Sequence, residues 1–312
     1  AAAMEAHRHN LEVFGIYNGF KYLIEGQLNG MPLLPESVAY IHQEGGSILH
    51  TARSNPTKSA GALEKCVKAL VEGGITCLVS IGGDDTAYSA SRVARYAQET
   101  MGVRLCSVHV PKTIDNDLPL PDDIPTFGYE TARALGAQLT MNLKRDAATN
   151  HHWFLVLTMG RKAGHLALGI GTSAVATLTL IPEEWDGQKI RLQEVVDILA
   201  TSVLIRLSQG KPYGVAILAE GILENLAVED LKALDHVQRD EHGHIRLAEV
   251  NFLDILKQNL DRDLAHMGVL TRFIKHTLGY ELRCARPTAY DIEYTRSLGE
   301  AAIDFLVEGG SN

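Results

Sequence analysis

The sequence predicts an α/β fold in which two Rossmann-like α/β/α domains with mostly parallel sheets face a cleft. Short apolar runs rich in β-branched residues alternate with helical patterns, as in βαβ units with right-handed crossovers. Two of these runs, one from Cys77 and one over Leu105–Val110, end in loops that carry carboxylate and hydroxyl side chains. Open parallel sheets bind ligands at strand ends of this kind, so the sequence also predicts where a ligand binds.

The first series of elements is predicted from hydrophobic periodicity and from glycines at turns. In chain order it contains a helix end over 1–10, a strand over Leu11–Ile16, a helix over Lys58–Glu72, a strand from Cys77, a helix over Thr86–Gln98 and a strand over Leu105–Val110. The helix over 58–72 has its apolar residues on one face. The strand from Cys77 ends at two glycines, which places Asp84 and Asp85 at the turn before the next helix.

The second series begins with a long helical pattern and continues the alternation of strand and helix. In chain order it contains a helix over Tyr129–Ala148, a strand over Phe154–Thr158, a helix over His165–Val175, a strand over Thr177–Ile181, a helix over Leu192–Leu207, a strand over Val215–Leu218, a helix over Asn251–His266, a strand over Val269–Ile274 and a helix over Asp291–Val307. We therefore predict a first domain over 1–126 together with roughly 284–312, and a second domain over 127–283.

The composition is that of a globular protein and argues against several classes of function. The chain has 312 residues, 46% of them apolar, and contains no apolar run long enough to cross a membrane. Its formal net charge of −9 argues against a nucleic-acid partner. The first residues lack a signal-peptide pattern, and the four cysteines lack metal-ligand spacing. We expect a cytoplasmic protein with reduced core thiols.

The polar side chains at the two strand ends predict phosphate chemistry. Five of them follow the second strand: Lys112, Thr113, Asp115, Asn116 and Asp117. Together with the carboxylates after the first strand, they suggest a hydrated divalent cation that holds a polyphosphate. Because a negatively charged molecule repels phosphates, the cation and nearby Lys and Arg side chains must supply the attraction. Asp122 and Asp123, further along the loop, are expected to be ordinary turn residues.

Five segments together resemble the 6-phosphofructokinase family, and most of all its pyrophosphate-dependent branch. They are GGDDT at 82–86, PKTIDND at 111–117, MGRKAG at 159–164, LAEG at 218–221 and LGYELRC at 278–284. The resemblance is collinear and covers nearly the whole chain. It implies the phosphofructokinase fold, with a donor and metal domain followed by a sugar-phosphate domain. The family's first strand and glycine turn are not in this sequence, and we expect the first domain to lack them.

The resemblance implies a catalytic role for residues of three of these segments. Asp115 corresponds to the family's catalytic aspartate, which takes the proton from the sugar 1-hydroxyl. Asp84 and Asp117 are implied to hold Mg²⁺, mainly through water. Lys112 and Arg161 are implied to assist the transfer by meeting the donor and the charge that develops on the phosphoryl group.

The other implied contacts fall into a sugar-phosphate group and a donor group. The sugar-phosphate group is Thr113, Asp117, Met159, Gly160, Arg161, Glu220, Tyr280, Arg283 and Lys275. The donor group is Gly83, Asp84, Asp85, Thr86, Arg53 and Lys112. A Lys or Arg near a strand end is often only solvated, so the contacts of Arg53, Lys275 and Arg283 depend on the resemblance.

Two positions favour inorganic pyrophosphate over ATP as the donor. Asp85 stands where the ATP-dependent bacterial enzymes carry glycine, and its carboxylate would face the α-phosphate of a nucleotide. Two unit charges 4 Å apart repel by ~4 kcal/mol at an effective dielectric near 20. Lys112 also stands where those enzymes carry glycine, and its ammonium group can stand in for part of the binding that the nucleotide arm otherwise contributes.

The implied activity is reversible, glycolytic phosphoryl transfer from pyrophosphate to fructose 6-phosphate, which forms fructose 1,6-bisphosphate. The resemblance also implies an allosteric homo-oligomer, either a dimer or a tetramer. Two alternatives remain open. The first is an ATP-dependent 6-phosphofructokinase in which a shifted nucleotide accommodates Asp85 and Lys112. The second is a catalytically silent regulatory subunit, against which the intact Asp115, Asp117 and Arg161 argue.

Overall fold

A computed structural model gives the fold of the chain, and it describes residues 1–121, 124–227, 229–230 and 252–311. The turn predicted at Asp122 and Asp123 and the helix start predicted at Asn251 lie outside these residues. Within them, we find no helix that combines the length and the apolar character needed to cross a membrane.

The chain divides into two compact units. The first consists of 1–113, 118–130 and 283–312, and the second consists of 114–117 and 131–282. The chain therefore passes between the units within the PKTIDND segment, so that Thr113 belongs to the first unit and Ile114 to the second. The donor role of the first predicted domain and the sugar-phosphate role of the second stay predictions.

The first unit contains two small sheets and five α-helices among its described residues. In chain order its elements are α1 (Ala2–Arg8), β1 (Phe14–Ile16), β2 (Gly30–Pro32), α2 (Pro35–Val38), α3 (Ala62–Glu72), β3 (Cys77–Gly82), α4 (Asp84–Met101), β4 (Cys106–Pro111) and α10 (Ala289–Val307). β1 and β2 pair antiparallel, whereas β3 and β4 pair in parallel with Gly82 opposite Pro111. Parallel pairing brings the C-terminal ends of β3 and β4 to the same edge, as the sequence predicts.

Apolar side chains cover the parallel pair of the first unit. The apolar face of α3 contributes Cys66, Val67 and Leu70, all fully buried, to a cluster that also contains Leu105 just before β4. A separate cluster joins apolar residues of β4 to residues of α10. Strands that are buried in this way read as short continuous apolar runs, which is why the sequence reveals them.

The second unit is built around a four-stranded parallel sheet in the order β6-β7-β5-β8. In chain order its elements are α5 (Tyr129–Asn150), β5 (Trp153–Thr158), α6 (His165–Ala174), β6 (Leu178–Leu180), α7 (Leu192–Ser208), β7 (Gly214–Ala219), α8 (Gly221–Glu224), α9 (Phe252–His266) and β8 (Phe273–Leu278). All six residues of each central strand, β5 and β7, are buried. Side chains of α7 and α9 pack with them in one large core.

The last strand lies four residues later than predicted. The prediction was Val269–Ile274, whereas β8 is Phe273–Leu278, and Leu270 is 93% exposed. β8 lies at the edge of the sheet, and its Lys275 and Thr277 are exposed. These polar residues in the middle of the strand hide it from a search for apolar runs, and the preceding apolar residues shift the prediction.

Two smaller predictions are also corrected. α4 begins at Asp84 and not at Thr86, so both carboxylates of GGDD lie in the first helical turn. All four cysteines are free, as predicted, but only Cys66 is a buried core thiol, since Cys77 and Cys284 are exposed. Cys77 is the first residue of β3, where the covering helices leave the strand end open, and an apolar pattern alone does not report that end effect.

Candidate active site

The turn from β3 to α4 presents the first group of predicted site residues. Gly83 is the N-cap of α4, and its carbonyl oxygen accepts hydrogen bonds of 3.0 Å from the backbone N–H groups of Thr86 and Ala87. Oδ1 of Asp84 accepts the N–H of Asp85 at 2.9 Å. Both carboxylates are exposed and lie in the first turn, where the positive end of the helix dipole favours negative charge.

Glycine stands at positions 82 and 83, before α4, for two different structural reasons. A Cβ added to Gly82 would lie 2.5 Å from Oγ1 of Thr86, so the first turn of α4 packs directly on this glycine. A Cβ added to Gly83 would have no atom within 4 Å. Space beside the Gly83 backbone is what a ligand phosphate needs for close approach to a helix N-terminus.

The end of β4 lies beside this turn. The backbone N–H of Lys112 donates to the carbonyl oxygen of Gly82 at 2.7 Å, so the structure brings Lys112 to the same strand end as the GGDD carboxylates. The Lys112 side chain is exposed, and the next carbonyl oxygen, that of Thr113, accepts the hydroxyl of Thr126 at 2.7 Å. Arg53 is exposed in an irregular segment before α3, and its predicted contact with the donor stays a prediction.

The acidic half of PKTIDND belongs to the second unit and is held there by a histidine. Asn116 has a left-handed backbone, with φ of 54°, and its carbonyl oxygen is 2.6 Å from Nδ1 of His165. Since a carbonyl only accepts, the imidazole donates from Nδ1. His165 is the first residue of α6, directly after MGRKAG. His165 lies outside the set of site residues predicted from the sequence, although its position directly after MGRKAG is a signal that points to it.

Glu220 positions the turn that follows β5. Its Oε2 accepts the backbone N–H groups of Gly160 and Arg161, each at 3.0 Å. Arg161 has a φ of 51°, a conformation that costs a non-glycine residue about 1–2 kcal/mol. A Cβ added to Gly160 would lie 2.6 Å from the carbonyl oxygen of Ala163. Glu220 therefore has a structural partner in the MGR turn, in addition to the sugar hydroxyls that the resemblance assigns to it.

The electrostatics of Glu220 involve the predicted base. Burial raises the pKa of the Glu220 carboxyl above its ordinary range. The two N–H groups that it accepts lower this pKa, while the negative charge of Asp115 raises it further. The charge of Asp115 therefore acts on Glu220 within the second unit, and Glu220 in turn holds the MGR turn. The Arg161 side chain is exposed, and its role toward the phosphoryl group stays a prediction.

The other predicted sugar-phosphate residues lie in or after β8 and at the end of β5. The ammonium of Lys275 forms an ion pair with Asp254 of α9, so this lysine already has a carboxylate partner. Tyr280, in a 3-10 helix after β8, is 67% exposed, and Met159 is half-buried at the end of β5. Arg283 is exposed and belongs to the first unit, whereas Tyr280 belongs to the second. Their predicted contacts with the sugar phosphate stay predictions.

The chemistry of the predicted metal ligands suits a hydrated cation. Asp84 and Asp117 are both exposed, and Asp84 uses only Oδ1 toward its own helix. Mg²⁺ usually keeps several waters and binds one or two carboxylates together with substrate phosphates. Among the described residues, the one group of three metal-type side chains with closely spaced ligand atoms is Glu5, His9 and Asp304, remote in sequence from the predicted ligands.

Comparisons with known proteins identify the family of the chain. The family description Phosphofructokinase matches residues 1–306. A pyrophosphate--fructose 6-phosphate 1-phosphotransferase of Thermotoga maritima is 49% identical over 310 residues, which cover 98% of this chain and 73% of that protein. One of the same name from Naegleria fowleri is 44% identical over 321 residues, covering 100% of this chain and 72% of that protein.

A solved structure supports the fold. The phosphofructokinase of Pichia pastoris in the T-state superposes with a TM-score of 0.75 at 23% identity over 98% of this chain. This chain spans only 31% of the Pichia chain, and at this identity the likeness concerns the fold alone. With the family match over nearly all residues and the two relatives above 40% identity, the chain belongs to the phosphofructokinase family.

Proposed function

We propose that this protein transfers a phosphoryl group reversibly between pyrophosphate and fructose 6-phosphate. The observation that carries the proposal is the position of Asp85 and Lys112 at the same edge of the β3–β4 sheet. Asp85 lies in the first turn of α4, and the N–H of Lys112 is bonded to the carbonyl of Gly82, two residues before that turn. The backbones of these two residues therefore meet where β3 leads into the N-terminus of α4, and we assign the donor phosphate to this helix N-terminus. The names of the two relatives support the same donor.

The reaction assigns each group a role that its chemistry allows. The 1-hydroxyl oxygen of the sugar attacks the terminal phosphorus of pyrophosphate, the bond from that phosphorus to the bridging oxygen breaks, and phosphate leaves. Asp115 accepts the hydroxyl proton as general base. Arg161 and Lys112 offset charge on the transferred group. Asp84 and Asp117 are the residues that would hold Mg²⁺, which supplies further charge neutralisation when bound.

We also propose that the protein is a cytoplasmic, allosteric homo-oligomer. Four free cysteines support a reducing compartment. An open surface groove of about 400 Å³ in the second unit has four basic residues in its lining, Lys144, Arg145, Arg206 and Lys211, and positive charge of this kind favours a phosphorylated effector. Sedimentation velocity measures the oligomeric state, and activity titrated with phosphorylated metabolites measures regulation. A monomer whose rate responds to none of these compounds would contradict both statements.

The donor is tested by the ratio of kcat/KM for ATP to kcat/KM for pyrophosphate. We expect a ratio far below one for the wild type. Asp85→Gly should raise the ratio at least tenfold, equivalent to about 1.4 kcal/mol. This is less than the ~4 kcal/mol calculated at an effective dielectric near 20, because water and salt screen the charge of an exposed carboxylate further. Adding Lys112→Gly should raise the ratio further.

Asp85→Asn is the matched control, because it removes the charge and keeps the size of the side chain. If charge excludes ATP, Asn and Gly variants should shift the ratio alike, whereas a shift with Gly alone would assign the exclusion to bulk. A wild type that prefers ATP would overturn the proposal. A ratio that neither Asp85 variant moves would mean that other residues choose the donor.

A further inference from the structure

His109 of β4 bridges the two strands that carry the donor residues. Its Nδ1 lies 2.8 Å from Oγ of Ser80 in β3, and its Nε2 lies 3.1 Å from the carbonyl oxygen of Gly82. Ser80 is directly opposite His109 in the parallel register. Ser80 and Gly82 are two residues apart and therefore share one face of the sheet, so one imidazole reaches both. Neither Ser80 nor His109 belongs to the predicted site.

The hydrogen bonds assign the protonation of this ring. The Gly82 carbonyl oxygen only accepts, so Nε2 of His109 carries a hydrogen and donates it. In the neutral imidazole Nδ1 then accepts, and the hydroxyl of Ser80 donates to it. Ser80 could also donate to the carbonyl oxygen of Val108, but that oxygen is at 3.4 Å and is the poorer acceptor position. Burial lowers the pKa of His109, which keeps the ring neutral at neutral pH.

The carbonyl oxygen of Gly82 thus has both of its acceptor positions filled from β4. One hydrogen bond comes from the backbone N–H of Lys112 at 2.7 Å, and the other from the His109 ring. A trans peptide is planar and its N–H points opposite to its C=O. Because two donors hold the Gly82 oxygen toward β4, the N–H of Gly83 in the same peptide points away from β4, at the N-terminus of α4.

We propose that His109 is a positioning residue of the donor site, which fixes the Gly82–Gly83 peptide so that the Gly83 N–H is presented to the phosphoryl donor. Ser80 in turn holds the ring in the tautomer that can donate to Gly82. The inference rests on the proposed function for the identity of the donor. The hydrogen bonds from His109 and Lys112 to the Gly82 carbonyl, which we call the Gly82 clamp, lie entirely within the first unit.

Steady-state kinetics test the positioning role with three substitutions. His109→Ala should raise KM for pyrophosphate roughly fivefold, the factor that one neutral hydrogen bond is worth. KM for fructose 6-phosphate should change less than twofold. His109→Gln should restore the wild-type KM, because its side-chain amide reaches about as far as Nε2 and can donate to Gly82. His109→Asn is the matched control, since its shorter amide reaches only the position of Nδ1.

Hydrogen exchange gives a readout that does not depend on turnover. The peptide covering residues 81–87 should exchange faster in His109→Ala and His109→Asn than in the wild type and His109→Gln. Equal KM for pyrophosphate in the Asn and Gln variants, or equal exchange in all four proteins, would overturn the proposal. If His109→Ala does not fold, the Asn and Gln pair still decides. If the four proteins show the expected differences in exchange but the wild type is inactive with pyrophosphate, the donor assignment is wrong, while the positioning of the Gly82–Gly83 peptide by the Gly82 clamp is still supported.

Discussion

Replacing Glu220 tests how the second unit builds the turn that carries Arg161. Oε2 of Glu220 accepts two backbone N–H groups at 3.0 Å. Hydrogen bonds to a charged acceptor contribute about 1.5–3 kcal/mol each, so the pair contributes about 3–6 kcal/mol. Burial of the carboxylate, which raises its pKa, offsets part of this gain. We therefore expect Glu220→Ala to lower the free energy of unfolding by ~2–4 kcal/mol.

Glu220→Gln keeps the hydrogen-bond acceptor of the side chain and removes its negative charge, so it tests the two contributions separately. The amide oxygen can still accept both N–H groups, and no buried charge remains, so we expect stability within about 1 kcal/mol of wild type. The Ala variant should also raise KM for fructose 6-phosphate, because the strained backbone of Arg161 relaxes once the hydrogen bonds from Gly160 and Arg161 to Glu220 are lost. The assay is urea unfolding of the three proteins with kcat and KM measured on the same samples.

The raised pKa of Glu220 also predicts the direction in which the free energy of unfolding changes with pH, and urea unfolding can check it. The folded pKa of Glu220 is raised above its ordinary value of 4.5, so the unfolded chain loses this proton at lower pH than the folded protein. Between those two pKa values the unfolded state binds fewer protons, and wild-type stability falls as pH rises. Glu220→Gln lacks this contribution, so its stability relative to wild type should increase with pH across that window.

An Ala variant as stable as wild type, with unchanged KM, would refute the role of Glu220 in holding the MGR turn. A Gln variant as damaged as Ala would assign that role to the charge.

Two further predictions concern the base and the cation. Asp115→Asn should lower kcat by roughly a hundredfold or more with little change in fructose 6-phosphate binding, as expected for a lost general base; a collapse of affinity with turnover retained would make Asp115 a binding residue. Activity should require Mg²⁺ or Mn²⁺, and Asp84→Ala should raise the cation concentration that gives half-maximal rate. An unchanged requirement in that variant would assign the ligand role to Asp117 alone, and full activity in excess chelator would remove the cation from the mechanism.

The sequence by itself determines the order of the elements and the residues at the strand ends. The central strands β5 and β7 are buried along their whole length, so they are recognisable as continuous apolar runs. The GGDD turn is contiguous in the chain, and its glycines and carboxylates are visible without knowledge of any distant contact. The edge strand β8 is the exception, because only its first and last residues are buried and the residues between them include exposed polar side chains.

Only the tertiary structure decides which residues at these strand ends contact one another. The sheet order places β7 beside β5, and this adjacency brings Glu220 to the amides of Gly160 and Arg161, about 60 residues earlier in the chain. Likewise the register of β3 and β4 sets His109 opposite Ser80 and beside Gly82. A local pattern reports burial and turns, which depend on near neighbours in sequence. Hydrogen-bond partners across a sheet depend on strand order and register, which the crossover connections fix only when the chain is folded.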